Sequence, residues 1–284
     1  MKLIECPRDA MQGLEEFIPT QKKILYINQL LKVGFDTVDF GSFVSPKAIP
    51  QMRDTAEVLQ QLELEGSPSR LLAIVANTRG ADEASRFEKI TYLGFPLSIS
   101  ETFQQRNTKK SIGEALETVH EIREICSKRD KTLVTYISMG FGNPYNDPYD
   151  TDVVGKFVDV LATLGVDIIS LADTIGVSQP EQIRYLFSTL ARQFPKIEFG
   201  AHLHSNPLTA LEKIEAAFEA GCRRFDGALK GYGGCPMAKD ELVGNLATET
   251  ILAFLDSKNS APDIDREALE KAIILADTIF PVRR

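Results

Sequence analysis

Long apolar runs are missing from this chain. No stretch approaches the ~20 residues that cross a bilayer, so a membrane-spanning helix is not expected and neither is a membrane partner. A surplus of positive charge is missing too. Lys and Arg number 32 against 40 Asp and Glu, a formal charge of −8, and this balance repels phosphate backbones and argues against a nucleic-acid partner. Cysteine is scarce and without paired spacing. Cys6, Cys126, Cys222 and Cys235 lie too far apart for a disulfide framework or zinc knuckle and suit free thiols in a reducing compartment. The first residues lack a secretory leader pattern, so a cytoplasmic location is expected. No low-complexity linker or composition break divides the 284 residues, which leads to the expectation of one catalytic domain over residues 1–284.

What the chain does have is alternation. β-Branched, apolar segments at 3–6, 37–44, 71–76, 89–93, 132–137, 167–171, 198–202 and 224–228 read as strands. Between them lie stretches with apolar residues three and four apart, at 21–33, 112–127, 152–164, 179–194 and 208–220, which read as helices. Gly34, Gly165 and Gly221 each follow such a stretch, where a left-handed residue ends a helix. Eight alternations predict an α/β fold, a closed (β/α)8 barrel, with an extra C-terminal helix at 266–279. In a barrel of this kind active sites form at the carboxyl ends of the strands. Arg8, Asp9, Asp39, Asn77, Asp173, His202 and His204 all pass that filter.

Histidine is rare, only three in all, yet two of them stand two apart in Phe199-Gly200-Ala201-His202-Leu203-His204. Alternate residues of a strand share a face, so both imidazoles point one way. With an oxygen donor such a pair suits Mg²⁺, Mn²⁺, Zn²⁺ or Fe²⁺; the spacing alone also allows a chance pair hydrogen-bonded to the backbone. Asp9 supplies a carboxylate, and Arg8 beside it offers a fixed charge for an enolate or oxyanion. An ion pair closing the barrel end would use the same two residues. The glycine-dense segment Gly231-Tyr232-Gly233-Gly234-Cys235-Pro236 can bend sharply and approach a ligand, with Cys235 placed to exchange a proton, or it can be a plain turn.

Five segments then stand together in one order: Pro7-Arg8-Asp9-Ala10-Met11-Gln12, Ser42-Phe43-Val44-Ser45-Pro46-Lys47, Asp173-Thr174-Ile175-Gly176-Val177, His202-Leu203-His204, and the Cys235 loop followed by Gly244-Asn245-Leu246-Ala247-Thr248-Glu249. The set resembles the 3-hydroxy-3-methylglutaryl-CoA lyases, within the metal-dependent lyase and synthase TIM barrels, over nearly the whole chain. That resemblance implies Mg²⁺- or Mn²⁺-dependent cleavage of an acyl-CoA, 3-hydroxy-3-methylglutaryl-CoA, to acetyl-CoA and acetoacetate by a homodimer. It implies Asp9, His202, His204 and Asn245 as metal ligands and Arg8, Cys235, Asp39 and Asp173 as catalytic residues. It places Gln12, Ser45, Asn77, Thr174 and Gly233 at the substrate, with Glu249 supporting the barrel mouth. The chain departs from the family pattern at Ala10, at Gly13-Leu14-Glu15 where a lysine is lost, at Asp39 in place of glutamate, and at Ser205-Asn206-Pro207. A Claisen-condensing synthase of the same superfamily, or a barrel that binds metal and thioester without turnover, are the competing readings.

Overall fold

Eight short segments of buried residues pair side by side in parallel, and the pairing closes on itself. In the computed structural model, which describes residues 1–234 and 243–280, these are β1 (Lys2–Glu5), β2 (Thr37–Ser42), β3 (Arg70–Ile74), β4 (Ile90–Ser98), β5 (Thr132–Ser138), β6 (Ile168–Asp173), β7 (Glu198–Ser205) and β8 (Arg224–Gly227). Neighbours run in sequence order from β1 to β8, and β1 pairs with β8 through Lys2 opposite Arg224 to Glu5 opposite Gly227. The ring is a (β/α)8 barrel. Its strands read as near-continuous apolar runs because a parallel barrel buries both faces of each strand.

The period-two alternation sorts those apolar residues into two places. Leu72 and Ile74 of β3 meet Tyr92, Val134, Tyr136 and Ile168 in one cluster inside the ring. Leu71, Ala73 and Val75 belong to a second, larger cluster beneath the helical shell. Asp39, His202, His204, Arg224 and Asp226 are buried as well, all on β2, β7 and β8. The buried charged side chains and histidines of the strands thus gather mainly on β2, β7 and β8, with Glu5 on β1 and Asp173 at the end of β6.

The shell comprises α1 (Pro7–Gln12), α2 (Thr20–Val33), α3 (Thr55–Gln60), α4 (Thr78–Ser85), α5 (Glu101–Thr108), α6 (Ile112–Lys128), α7 (Thr151–Thr163), α8 (Pro180–Gln193), α9 (Ala210–Glu219), α10 (Thr248–Ser257) and α11 (Arg266–Asp277). Gly34, Gly165 and Gly221 leave their helices at φ of 86°, 77° and 95°, the left-handed region expected of them. The extra helix α11 packs on α2, where Gln29 Nε2 donates to Ala268 O at 2.8 Å. No described helix is long and apolar enough to cross a membrane.

Five helices escaped the periodicity reading: α1, α3, α4, α5 and α10. The first four have six to eight residues, too few for a helical repeat to show, and α4 and α5 instead rest on side-chain caps from Asn77 and Ser100. A short strand is not expected from the sequence either. The two-residue strand β9 (Gly244–Asn245) pairs antiparallel with β7, setting Asn245 opposite His204.

Closure of the ring also buries an acid. Glu5 accepts from Leu229 N at 2.8 Å and from Thr248 Oγ1 at 2.6 Å, tying β1 to the end of the barrel. Burial outweighs both bonds and pushes its pKa up to about 8. A raised carboxyl pKa favours the folded state fully below the ordinary value of 4.5, and that contribution is lost as pH rises toward 8. Glu5→Gln keeps the shape without the charge. Its advantage over the native chain in urea unfolding should grow between pH 5 and pH 9 by on the order of 3 kcal/mol. An advantage equal at both pH values would contradict a protonated Glu5.

Candidate metal centre and active site

The site begins where β1 ends. Pro7 occupies the first turn of α1, where its missing N–H costs nothing, and the turn brings Arg8 and Asp9 to the barrel mouth. The buried Arg8 guanidinium donates from Nε to Asp39 Oδ2 and Oδ1 at 3.0 and 3.2 Å, from Nη2 to Asp39 Oδ2 at 2.5 Å, and from Nη1 to Asp9 Oδ1 at 2.9 Å. A guanidinium has five N–H groups, so two remain for the cavity that Arg8 lines. Burial pulls against the charge on Arg8, but Asp39 and Asp9 more than offset it and its pKa rises.

The two carboxylates around Arg8 are driven apart. Burial raises Asp39 to about 6 against the opposing pull of Arg8. Burial also acts on Asp9, yet there Arg8, His202, His204 and the bond from Asn245 prevail and hold the pKa at about 2. Asp9 is thus an anion under all ordinary conditions, whereas Asp39 can exchange a proton near neutrality.

From β7, His202 and His204 project to one face with ring centroids 5.2 Å apart. Each Nδ1 is oriented from behind. His202 Nδ1 lies 3.1 Å from Asp226 Oδ2 and His204 Nδ1 lies 3.0 Å from Thr174 O. Both partners only accept, which assigns the proton to Nδ1 and leaves each Nε2 with its lone pair, the arrangement of a ligating histidine supported by a carboxylate or carbonyl. Burial opposes charge on His202, but Asp226 overrides it and raises the pKa; burial and the neighbouring His202 lower that of His204.

These groups fit a divalent cation. His204 Nε2 is buried without a hydrogen-bond partner and lies 3.9 Å from Asp9 Oδ2. One ligand atom each from Asp9, His202 and His204 falls within 4.8 Å of the others. Donors about 2.1 Å from a shared ion stand about 3 to 4 Å apart, so a small inward adjustment suffices. An orphaned buried lone pair facing a carboxylate is costly unless something positive sits between them. Cys6 forms a second trio with His202 and Asp226, but burial pushes its thiol well up, and a neutral thiol is a poor ligand.

Asn245 arrives from the far end of the chain. Its Nδ2 donates to Asp9 Oδ2 at 2.7 Å and to Tyr232 O at 2.9 Å, which fixes the amide and leaves Oδ1 as its lone-pair atom. Gly233 makes that approach possible. At φ 87° a Cβ on it would stand 2.7 Å from Asp9 O and Ala10 Cα and 2.9 Å from Asn245 Nδ2, so both the backbone angle and the space demand glycine.

The remaining sequence-predicted residues fall in different places. Gln12 Nε2 donates to Asp9 Oδ1 at 2.8 Å, and Gln12 lines the central cavity, as does Thr174, whose Oγ1 accepts from Met139 N at 2.8 Å. Asp173 faces the βα loop instead. Its oxygens accept from Val177 N, Ser178 N, Ser178 Oγ and Lys213 Nζ. Ser45 and Asn77 line a separate cavity near Arg53 and Arg79, and Asn77 caps α4 by accepting from Gly80 N at 2.9 Å. Cys235 lies outside the described residues. Glu249 accepts from Lys230 N at the barrel end.

Three residues of the site were not singled out from the sequence. Asp226 orients His202, and its only sequence signal is a charge within the buried strand Arg224–Gly227. Lys213 joins Asp173, Gly176 O and His204 O, and betrays itself as a lysine on the apolar face of α9. Tyr136 stacks edge-on to His202 with centroids 5.5 Å apart; nothing in its apolar strand distinguishes it.

A closed (β/α)8 barrel whose mouth gathers two oriented imidazoles, a carboxylate and a guanidinium bridging two carboxylates defines a metal-dependent barrel enzyme built to hold developing negative charge. The chain belongs to the HMGL-like family, whose model matches residues 3–275. Hydroxymethylglutaryl-CoA lyase YngG of Bacillus subtilis is 33% identical over 94% of this chain and 88% of its own length. The 3-hydroxy-3-isohexenylglutaryl-CoA/hydroxy-methylglutaryl-CoA lyase of Pseudomonas aeruginosa is 32% identical over 96% of this chain and 90% of its own. Among solved structures, an HMG-CoA lyase from Acinetobacter baumannii in complex with coenzyme A and 3-methylmalate superposes with a TM-score of 0.90 at 31% identity, covering 98% of this chain and 90% of that one.

Proposed function

We propose that this protein is a carbon–carbon lyase that cleaves 3-hydroxy-3-methylglutaryl-CoA to acetyl-CoA and acetoacetate, with Mg²⁺ or Mn²⁺ held by Asp9, His202, His204 and the amide oxygen of Asn245. When bound, the ion supplies Lewis-acid stabilisation and a template for the substrate's oxygens. The observation that carries the reading is the buried, unpartnered His204 Nε2 aimed at an Asp9 that is itself tied to Arg8.

The reaction requires the C3 hydroxyl to lose its proton, the C3–O bond to become a carbonyl, and the C2–C3 pair to leave as a thioester enolate that takes a proton at C2. Asp39 Oδ1 is the carboxylate oxygen assigned to the first step. Its pKa of about 6 suits proton exchange near neutrality, and it carries one bond from Arg8 where Oδ2 carries two. Asp173 positions rather than transfers, because Lys213 and the 177–178 turn occupy its oxygens and its neighbour Thr174 holds His204. Arg8 keeps its charge and directs its two remaining N–H groups at the cavity, where the enolate oxygen forms. Gln12 steadies the Asp9 carboxylate. Cys235 is assigned to proton delivery at C2.

The buried, unpaired thiols of Cys6, Cys126 and Cys222 support a reducing, cytoplasmic setting, and a homodimer is the assembly proposed. The reading is tested by stripping the protein with chelator and assaying acetoacetate release from 3-hydroxy-3-methylglutaryl-CoA, with acetyl-CoA plus a 2-oxo acid as the condensation arm. Release restored by Mg²⁺ or Mn²⁺ is the expected result. Absence of release with either metal, or condensation in its place, overturns it.

A further inference from the structure

The imidazole of His202 has two edges, and its Nδ1 edge faces the seam where the barrel closes. Because Gly200 pairs with Arg224 and Ile4 with Asp226, the neighbouring strands β7, β8 and β1 carry His202, Asp226 and Cys6 to the same end of the ring. One ligand atom from each of the three lies within 4.8 Å of the other two. Cys6 and Asp226 are buried, and His202 borders the central cavity, which gives an ion its way in. Two of these groups have bonding capacity to spare. Asp226 Oδ1 is buried without a hydrogen-bond partner. Arg224, two residues earlier on β8, does not engage it: Nε and Nη2 are themselves unpartnered, and Nη1 donates to Glu198 at 3.3 Å. Cys6 stands at the N-cap of α1, where a side-chain oxygen usually accepts from the first turn, yet its side chain makes no capping bond. Its thiol reaches only Ile4 O, at 3.9 Å.

We propose that Cys6 Sγ, His202 Nδ1 and an oxygen of Asp226 form a second metal site, selective for a thiophilic divalent ion such as Zn²⁺, and that filling it switches the lyase off; the switch, though not the site, rests on the catalytic reading above. His202 Nδ1 and Asp226 Oδ2 already stand 3.1 Å apart, close to the spacing of two donors that each lie about 2.1 Å from one zinc ion, so mainly Cys6 has to move in. Three protein ligands with a fourth position open is a coordination that zinc accepts. Mg²⁺ and Mn²⁺ do not enter, because they favour oxygen donors and leave the neutral thiol protonated. Zn²⁺ takes the proton's place: the S–H bond breaks, an S–Zn bond forms, and the proton passes to solvent. The proton on His202 Nδ1 gives way in the same exchange, and Nε2 takes one up. A neutral imidazole carries one N–H, so the nitrogen needed beside Asp9 and His204 is then capped, and the two ions exclude each other through a single ring.

Co²⁺ serves as the optical probe, because a thiolate bound to it adds a sulfur-to-cobalt charge-transfer band that oxygen and imidazole ligands do not. Chelated protein is titrated with Co²⁺ as Cys235→Ala, which takes the loop thiol out of the count, and as the double variant Cys6→Ala/Cys235→Ala. The band is expected in the first and absent from the second. In a second arm, acetoacetate release by the Mn²⁺-loaded native chain and by Cys6→Ala is followed as Zn²⁺ is added. Without zinc the two should turn over alike, and half-inhibition of Cys6→Ala should need roughly tenfold more zinc or beyond, at least the loss caused by removing a supporting group at a metal centre. Cobalt bound to Cys235→Ala without the band overturns the site. A band together with equal zinc sensitivity of the native chain and Cys6→Ala overturns the switch. No acetoacetate from either protein with Mn²⁺ overturns the lyase reading and the switch with it, while the cobalt titration still decides the site. Should Cys6→Ala fail to fold, Cys6→Ser, which keeps the shape but lacks the soft sulfur, replaces it in both arms.

Discussion

Arg8→Gln lowers kcat by roughly 10²- to 10³-fold, the loss expected when a preorganised charge at a developing oxyanion is removed. The physical basis is that Arg8 does three things from one planar group. It closes on Asp39 through Nε and Nη2, holds Asp9 Oδ1 through Nη1, and keeps two N–H groups for the cavity. Glutamine offers two donors and no charge. Arg8→Lys is the informative companion, because an ammonium restores the charge but cannot span both carboxylates while also facing substrate, so it recovers folding better than turnover. Steady-state kinetics with saturating metal checks this, and a kcat within tenfold of the native value for Arg8→Gln would remove Arg8 from the chemistry.

His204→Ala abolishes tight metal binding, by roughly 10²-fold or more in Kd, while the barrel persists. The fold tolerates the change because the imidazole's internal tie is one bond to Thr174 O, and its other nitrogen has no partner to lose. The ion is far more dependent on it, since His204 Nε2 and Asp9 Oδ2 already face each other at 3.9 Å. Titration of apo protein with Mn²⁺, read by calorimetry beside a far-ultraviolet circular dichroism spectrum, separates the two outcomes. Unchanged Mn²⁺ affinity in a folded variant would refute the ligand assignment, and with it the reaction that depends on the ion.

The parts of the architecture legible beforehand share a local origin. Segments 37–44 and 132–137 declare themselves as strands by β-branched apolar residues, and the observed β2 and β5 fall within a residue or two of them. Gly34 announces the end of α2 because only a residue comfortable at φ 86° can turn the chain back there. The strand extends beyond 89–93: β4 runs on to Ser98 through Gly94 and Pro96, and Pro96 is tolerated because pairing with β3 ends opposite Gly94, leaving the rest of β4 paired with β5 alone. The short helices α3, α4 and α5 hide for the converse reason, with too few turns to show a repeat.

For the site, the sequence alone determined that His202 and His204 share a face, since alternation in a strand is a property of the backbone, and that Asp9 lies at the carboxyl end of the first strand. Arg8 follows from its place beside Asp9, whereas Asn245 was reached only through the resemblance to the lyases. Only the tertiary structure decided that Asn245 reaches Asp9 across 236 positions of chain, that Asp226 stands behind His202, that Asp173 turns toward Lys213, and that Ser45 and Asn77 serve another cavity. It alone brought Val44, Ile74, Pro96 and Phe103 to the cavity beside the two histidines. The reason is that periodicity is set within a few residues, whereas these neighbourhoods arise from closing eight strands into a ring, which joins side chains by register and loop path rather than by their separation along the chain.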